Sequence, residues 1–170
     1  MPTNCQCARC PSRKNPSKEV RTAVKSIPEA YHSVTPYLVV RGAEKVVEFL
    51  KAAFGADVVF EPLKRPDGGI LHVEVKIGSS RVMLSERSEE HEPMLSMLYL
   101  YVPDVDATYR QAIAASGTTL KEPHNEFFGD RTASVKDPSG NTWEIATRKE
   151  DLSRQELEKR AAAMFKEKTA

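Results

Sequence analysis

The 170-residue sequence predicts an α+β domain, with two βαβββ modules forming a curved mixed sheet around a concave pocket, plus a C-terminal helix. Three observations carry this expectation. Residues 37–55 are echoed by residues 99–117 at a constant offset of 62, the self-similarity of a duplicated unit. Each copy runs from a short apolar strand through a turn into an amphipathic helix that stops at a glycine, Gly55 or Gly117. Each is then followed by runs in which apolar and polar residues alternate, the signature of strands with one covered face.

In the first module, residues 34–40 alternate, with Leu38 and Val40 on one face and Thr35, Tyr37 and Val39 on the other. Ala43, Val46, Val47, Leu50, Ala53 and Phe54 then recur at three- and four-residue spacing, a helical stripe able to cover the sheet. A short strand is expected at 58–61, and Pro66-Asp67-Gly68-Gly69 is turn chemistry leading into a strand at 70–77. There Leu71, Val73, Val75 and Ile77 point toward the helix, and His72, Glu74 and Lys76 point away. In the strand at 81–86, Val82 and Leu84 join the helix-covered face, while Arg81, Met83 and Ser85 share the face of His72 and Glu74.

A polar connector at 87–93 separates the modules. The second has a strand at 96–102, a helix at 104–116 with Val105, Thr108, Tyr109, Ala112 and Ile113 inward, and strands at 118–120 and 131–136. Residues 122–130, containing Phe127-Phe128-Gly129-Asp130, form the longest irregular stretch. Asp137-Pro138-Ser139-Gly140 is a turn before a strand at 141–147, where strict alternation puts Trp143 and Ile145 toward the helix and Glu144 opposite. Ser153 and Glu156 have capping-box spacing, with Leu157, Ala161, Met164 and Phe165 at helical spacing behind them. The chain thus divides into a tail (1–25), a domain (26–150) made of modules 34–86 and 95–147, and a helical extension (151–170).

A composition 40% hydrophobic and 29% charged is that of one ordinary globular domain, and a net charge of +1 gives no general attraction for nucleic acid. No apolar run approaches the roughly 18 residues that span a bilayer, so a soluble, cytoplasmic protein is expected. Cys5, Cys7 and Cys10 all fall in the tail, which leaves the body without a disulfide framework. Three thiolates also fall short of the four ligands of a structural zinc site. The tail lacks the apolar stretch of a secretory signal and reads as a flexible basic extension.

The duplicated βαβββ plan, closed by Asp137-Pro138-Ser139-Gly140-Asn141-Thr142-Trp143-Glu144-Ile145, resembles the vicinal oxygen chelate superfamily over residues 33–147. That superfamily includes glyoxalase I, bleomycin-resistance proteins and ring-cleaving dioxygenases. Residues 34–40, 48–55, 70–75 and 128–131, with the Asp137 hairpin, resemble its PhnB-like subgroup. The resemblance implies ligand positions for a divalent metal on the concave face, and these fall on Thr35 and Met83 in module one and on Met97 and Glu144 in module two. Only Glu144 is an ordinary ligand for a hard cation, and an open metal centre needs several oxygen or imidazole donors. Two thioethers would suit a soft ion such as Cu(I), although methionine more often lines apolar cavities. No metal or other cofactor is therefore expected from this degenerate ligand set.

The concave face as read from alternation carries Tyr37, His72, Glu74, Met83, Met97, Tyr99, Tyr101 and Glu144, aromatic walls with few polar groups. Arg131 beside Gly129-Asp130 is a candidate ligand contact at the pocket mouth. Apolar surroundings would favour the protonated form of Glu144, which makes Glu144 and His72 candidate acid–base groups. No phosphate loop, nucleophile elbow or His-Glu-x-x-His run is present.

The leading expectation is a metal-free protein that binds or sequesters a small apolar or aromatic molecule, working as a homodimer; whether it is an enzyme stays open. The rival is a glyoxalase-type lyase or isomerase using a metal or Glu144-assisted proton transfer. A third reading makes the fold a dimerisation module whose tail or last helix recruits a partner. The sequence also leaves open whether the modules pair within one chain or swap between two.

Overall fold

The computed structural model describes residues 24–168. Cys5, Cys7 and Cys10, and with them any reading of the tail as a metal site, lie outside the described residues. The element order is β1 (Tyr37–Val40), α1 (Ala43–Phe54), β2 (Asp57–Lys64), β3 (Ile70–Ile77), β4 (Ser80–Glu86), β5 (Met97–Tyr101), α2 (Val105–Ala114), β6 (Thr118–Asn125), β7 (Asp130–Lys136), β8 (Thr142–Arg148) and α3 (Arg154–Lys168). The α+β plan of two βαβββ modules plus a C-terminal helix is therefore present as the repeat predicts. Among the described residues the strands make two four-stranded sheets, β1-β4-β3-β2 and β5-β8-β7-β6, rather than one continuous sheet. In each, the first strand pairs in parallel with the fourth and the remaining pairs are antiparallel.

One core joins the modules. The apolar stripe of α1 (Val46, Phe49, Leu50, Ala53) is buried with Val73, Val75, Val82 and Leu84 of its own sheet and with Val105, Ala112, Val135, Trp143 and Ile145 of the other module. The Phe54 ring lies 5.0 Å from that of Trp143, which fastens the first helix to β8. No helix among the described residues is long and apolar enough to cross a membrane.

Both outer strands run longer than the sequence pattern suggests. β2 continues past Glu61 through Pro62, and β6 occupies residues 118–125 of a stretch expected to be irregular from 122, passing through Pro123. Each is the edge strand of its sheet, and each register shifts at its proline. A residue without an N–H is tolerated at such a place. A further shift changes one facing. Leu63 pairs with His72 and Lys64 with Ile70, so Leu71 is the extra residue of a bulge. Ile70 is buried and Leu71 is exposed, the reverse of what unbroken alternation predicts.

The start of α1 depends on a residue 43 positions away. Gly42 takes a left-handed φ of 75°, which a side chain would disfavour, and the N–H groups of Gly42 and Ala43 donate to the Glu86 carboxylate at 3.0 and 2.8 Å. A carboxylate at a helix N-terminus satisfies orphan donors and complements the helix dipole. Glu86→Ala is expected to cost about 1–2 kcal/mol, read as a lower urea midpoint at unchanged m-value. In α2 the same task falls to Asp104, which accepts from Ala107 N at 3.0 Å. In α3, Ser153 Oγ accepts from Glu156 N at 3.2 Å, and Arg160 Nη2 reaches Glu150 at 2.8 Å.

Candidate functional site

In module one, β1, β3 and β4 turn Tyr37, His72, Glu74, Arg81, Met83 and Ser85 away from the helices, with Tyr37 and Glu74 both opposite Met83. Glu74 is the centre of this half. Its side chain is almost out of solvent, the residue being 4% exposed, and its carboxylate accepts from Tyr31 Oη and from Arg81 Nη1 at 3.1 Å, with His72 Nε2 at 3.1 Å. Burial works against its charge, but the hydrogen bonds from Tyr31, His72 and Arg81 together outweigh that and hold its pKa below the ordinary carboxylate value. The Arg81 guanidinium also lies 4.6 Å from the centroid of the Tyr31 ring, a cation–π contact. The His72 ring has Phe60 at 5.3 Å and Tyr37 at 6.0 Å. Beside this cluster a cleft of about 850 Å³ is lined by Tyr37, Val39, Leu71 and Ser85, with Arg65 and Arg87 contributing charge.

Module two repeats the arrangement with different chemistry. Tyr99 and Tyr101 of β5 donate through their hydroxyls to Asp130 Oδ2 at 3.2 and 2.8 Å, and Arg148 Nη1 approaches Oδ1 at 3.4 Å. Burial and the Asp130 charge push the Tyr99 phenol well above its usual pKa. Along β7, Asp130, Thr132 and Ser134 share this face by alternation. Ser134 Oγ donates to Glu144, which stands opposite Tyr99 on β8. Thr132 is 1% exposed, and its Oγ1 has no hydrogen-bond partner among the described residues. A buried hydroxyl left unsatisfied is uncommon in a folded protein and marks a place where a further polar group fits.

Of the residues the sequence proposes, Tyr37, His72, Glu74 and Met83 meet on the first sheet, and Tyr99, Tyr101 and Glu144 meet on the second. Met97 is 69% exposed and lines a smaller cleft of about 420 Å³ at the seam, together with Pro36, Tyr37, Tyr99 and Trp143. Arg131 is turned elsewhere: Nε and Nη2 each reach Asp106 of α2 at 2.7 Å, and Nη1 reaches Asn125 at 3.2 Å. That paired contact holds the Asp106 carboxyl below its usual pKa and fastens β7 to α2, away from the concave face.

Tyr31, Phe60, Asp130, Thr132, Ser134 and Arg148 take part in this face and are absent from its sequence reading. Asp130, Thr132 and Ser134 were available from the alternation of the predicted strand at 131–136, extended by one residue. Tyr31 had no such signal, because it precedes the first strand.

The residue opposite Met83 is Tyr37 and the residue opposite Glu144 is Tyr99, so the facing positions of the two parallel strand pairs hold two phenols, a thioether and one carboxylate. Thr35 Oγ1 donates to the backbone oxygen of His32 at 3.3 Å. Among the described residues no three His, Cys, Asp or Glu side chains converge. This donor set does not fit a divalent cation of the glyoxalase type.

Comparison with known proteins follows the same lines. The chain is 28% identical over 137 residues to the uncharacterized protein Mb0911c of Mycobacterium bovis, covering 74% of this chain and 90% of that one. Among solved structures it is similar to hypothetical protein SA1046 from S. aureus, with 27% identity, a TM-score of 0.54, and coverage of 68% of this chain and 96% of that one. A Bacillus cereus structure described as a putative 3-demethylubiquinone-9 3-methyltransferase, PhnB protein, shares the fold at 17% identity with a TM-score of 0.57, covering 68% and 99% of the two chains. The model of the glyoxalase/bleomycin resistance protein/dioxygenase superfamily matches residues 31–145, from before β1 into β8, and the chain belongs to that superfamily.

Proposed function

We propose that this is a metal-free binding protein of the PhnB-like kind, which holds a small aromatic or apolar molecule against its concave face. The observation that carries the reading is that the positions the resemblance assigns to metal ligands, Thr35, Met83, Met97 and Glu144, offer a single carboxylate, already engaged by Ser134, while the strand partners of Met83 and Glu144 are the phenols of Tyr37 and Tyr99. Phenol and thioether walls recognise flat apolar ligands by stacking and dispersion, with few directional bonds. The clefts of about 850 and 420 Å³ are of the size that holds metabolite-sized molecules.

The lyase or isomerase reading relies on a metal or on Glu144-assisted proton transfer, and in one form pairs Glu144 with His72. The two stand on different sheets, and each already has a polar partner, Ser134 for Glu144 and Glu74 for His72. The prior engagement of both groups favours the binder.

The test is calorimetric titration of the protein with indole, 2-naphthol and benzoate in EDTA, repeated with Ni²⁺, Zn²⁺, Mn²⁺ and Fe²⁺ supplied. Affinity for at least one of these ligands is expected to be unchanged by the metals and to fall at least tenfold, about 1.4 kcal/mol, in Tyr99→Ala. Binding that appears only with a metal, or turnover lost in Glu144→Gln, refutes the proposal.

A further inference from the structure

We propose that Tyr31 occupies the module-one end of the concave face as an internal stand-in for ligand, and that this subsite takes a monocyclic phenol when the segment at 24–35 moves aside. The inference rests on the concave face being the binding face.

The segment precedes β1. Val24, Ile27 and Val34 on it are exposed. Its other hydrogen bonds stay local, Tyr31 N to Pro28 O at 3.2 Å and Thr35 Oγ1 to His32 O at 3.3 Å. Among the described residues at 24–35, Tyr31 alone hydrogen-bonds to the body of the domain, through its hydroxyl to Glu74. Among the described residues one phenol side chain therefore supplies the hydrogen bond that ties the stretch to the domain, and a ligand hydroxyl on Glu74 would replace it.

The receiving surface is built for a phenol. Glu74 supplies a buried acceptor, and Arg81 supplies a cation 4.6 Å from the ring centroid, with its own Nε buried and lacking a hydrogen-bond partner among the described residues. An aromatic carboxylate would bring like charge against Glu74. A plain arene would leave Glu74 short of one donor in a place where water is excluded. A neutral ring bearing a hydroxyl meets both demands.

By pseudo-symmetry Glu74 stands where module two has Ser134, not Asp130, so a phenol on this carboxylate is particular to module one. Glu74 pairs with Met83 and Ser134 pairs with Glu144, which makes these pairs equivalent, and the same symmetry aligns Val39 with Tyr101 through their partners Ser85 and Ala146. In module two, the phenols that satisfy the carboxylate of Asp130 come from β5 itself. In module one, the position of Tyr101 is held by Val39, which borders the larger cleft, and the phenol arrives from outside the sheet.

The experiment uses the full chain and p-cresol as probe, titrated in EDTA and followed by calorimetry. Tyr31→Ala is expected to bind p-cresol at least tenfold tighter than wild type, to bind toluene at least tenfold more weakly than p-cresol, and to lose that discrimination when Glu74→Gln is added. Equal affinity of wild type and Tyr31→Ala for p-cresol, with unchanged circular dichroism, overturns the proposal, as does equal affinity of the variant for p-cresol and toluene. Should Tyr31→Ala fail to fold, Tyr31→Phe decides: it releases the hydroxyl contact and must bind p-cresol at least threefold tighter than wild type, and equality overturns the proposal. If wild type binds indole or 2-naphthol in EDTA while Tyr31→Ala gains nothing for p-cresol, the Tyr31 inference fails alone. If no aromatic probe binds either protein, both readings fail together.

Discussion

Asp137→Ala is expected to lower stability by about 3–5 kcal/mol, because the residue removed is a buried charge on which four donors converge. Asp137 Oδ1 accepts from the backbone N–H of Ser139 at 2.9 Å and of Asn141 at 3.0 Å, and Oδ2 accepts from Asn141 Nδ2 at 2.9 Å and Trp143 Nε1 at 3.2 Å. Asn141 Oδ1 in turn accepts from Ser96 N at 3.0 Å, so the turn is tied to the start of β5. Alanine leaves the indole and amide donors buried without partners. Asn keeps the shape and one acceptor oxygen, so Asp137→Asn should fall between alanine and wild type. Urea unfolding followed by the fluorescence of Trp143 reads both, and a midpoint for Asp137→Ala equivalent to a loss below about 0.5 kcal/mol would refute this account. The functional consequence is local to β8. The turn fixes the register that sets Trp143 into the core and Glu144 opposite Tyr99, so a loosened turn should weaken aromatic binding even where the protein stays folded.

How far the sequence was legible depended on whether a feature was local. The repeat, helices α1 and α2 and the existence of the alternating strands follow from spacing along the chain, and each is found close to where spacing puts it. Trp143 is buried and Glu144 faces the other way because β8 keeps strict alternation. β3 does not, and the bulge at Leu71 exists only because Leu63 and Lys64 of the neighbouring strand pair as they do. Pro62 and Pro123 read as strand ends until it is known that β2 and β6 are edges, where a missing N–H costs little. Glu86 looked like the last residue of a strand, and its carboxylate caps a helix 43 residues earlier. The concave face was readable as a set of side chains on two sheets. Its polar partners were not, since Tyr31 reaches Glu74 across 43 residues and Arg131 turns to Asp106 across 25. Such pairings are tertiary, and no periodicity announces them.

Glu74→Ala is the second large effect expected, about 2–4 kcal/mol at neutral pH. The variant strips a partly buried cation, Arg81, of its carboxylate and leaves the Tyr31 hydroxyl and the His72 ring without their shared partner. Glu74→Gln separates charge from shape. The native carboxyl titrates below its ordinary value of 4.5, so its contribution is complete above the unfolded-state pKa and is lost as the pH falls through the lower, folded-state value. Wild type should therefore lose stability more steeply than Glu74→Gln between neutral pH and the acid range. The comparison with Gln is needed because Asp106, Glu126 and Glu150 are also held below their ordinary pKa and give the wild type an acid slope of their own. Urea midpoints of the two proteins across that range should converge as the pH drops. Parallel curves would mean that Glu74 is charged to the same extent folded and unfolded, and that its network with Tyr31, His72 and Arg81 does not hold the carboxylate in its ionised form.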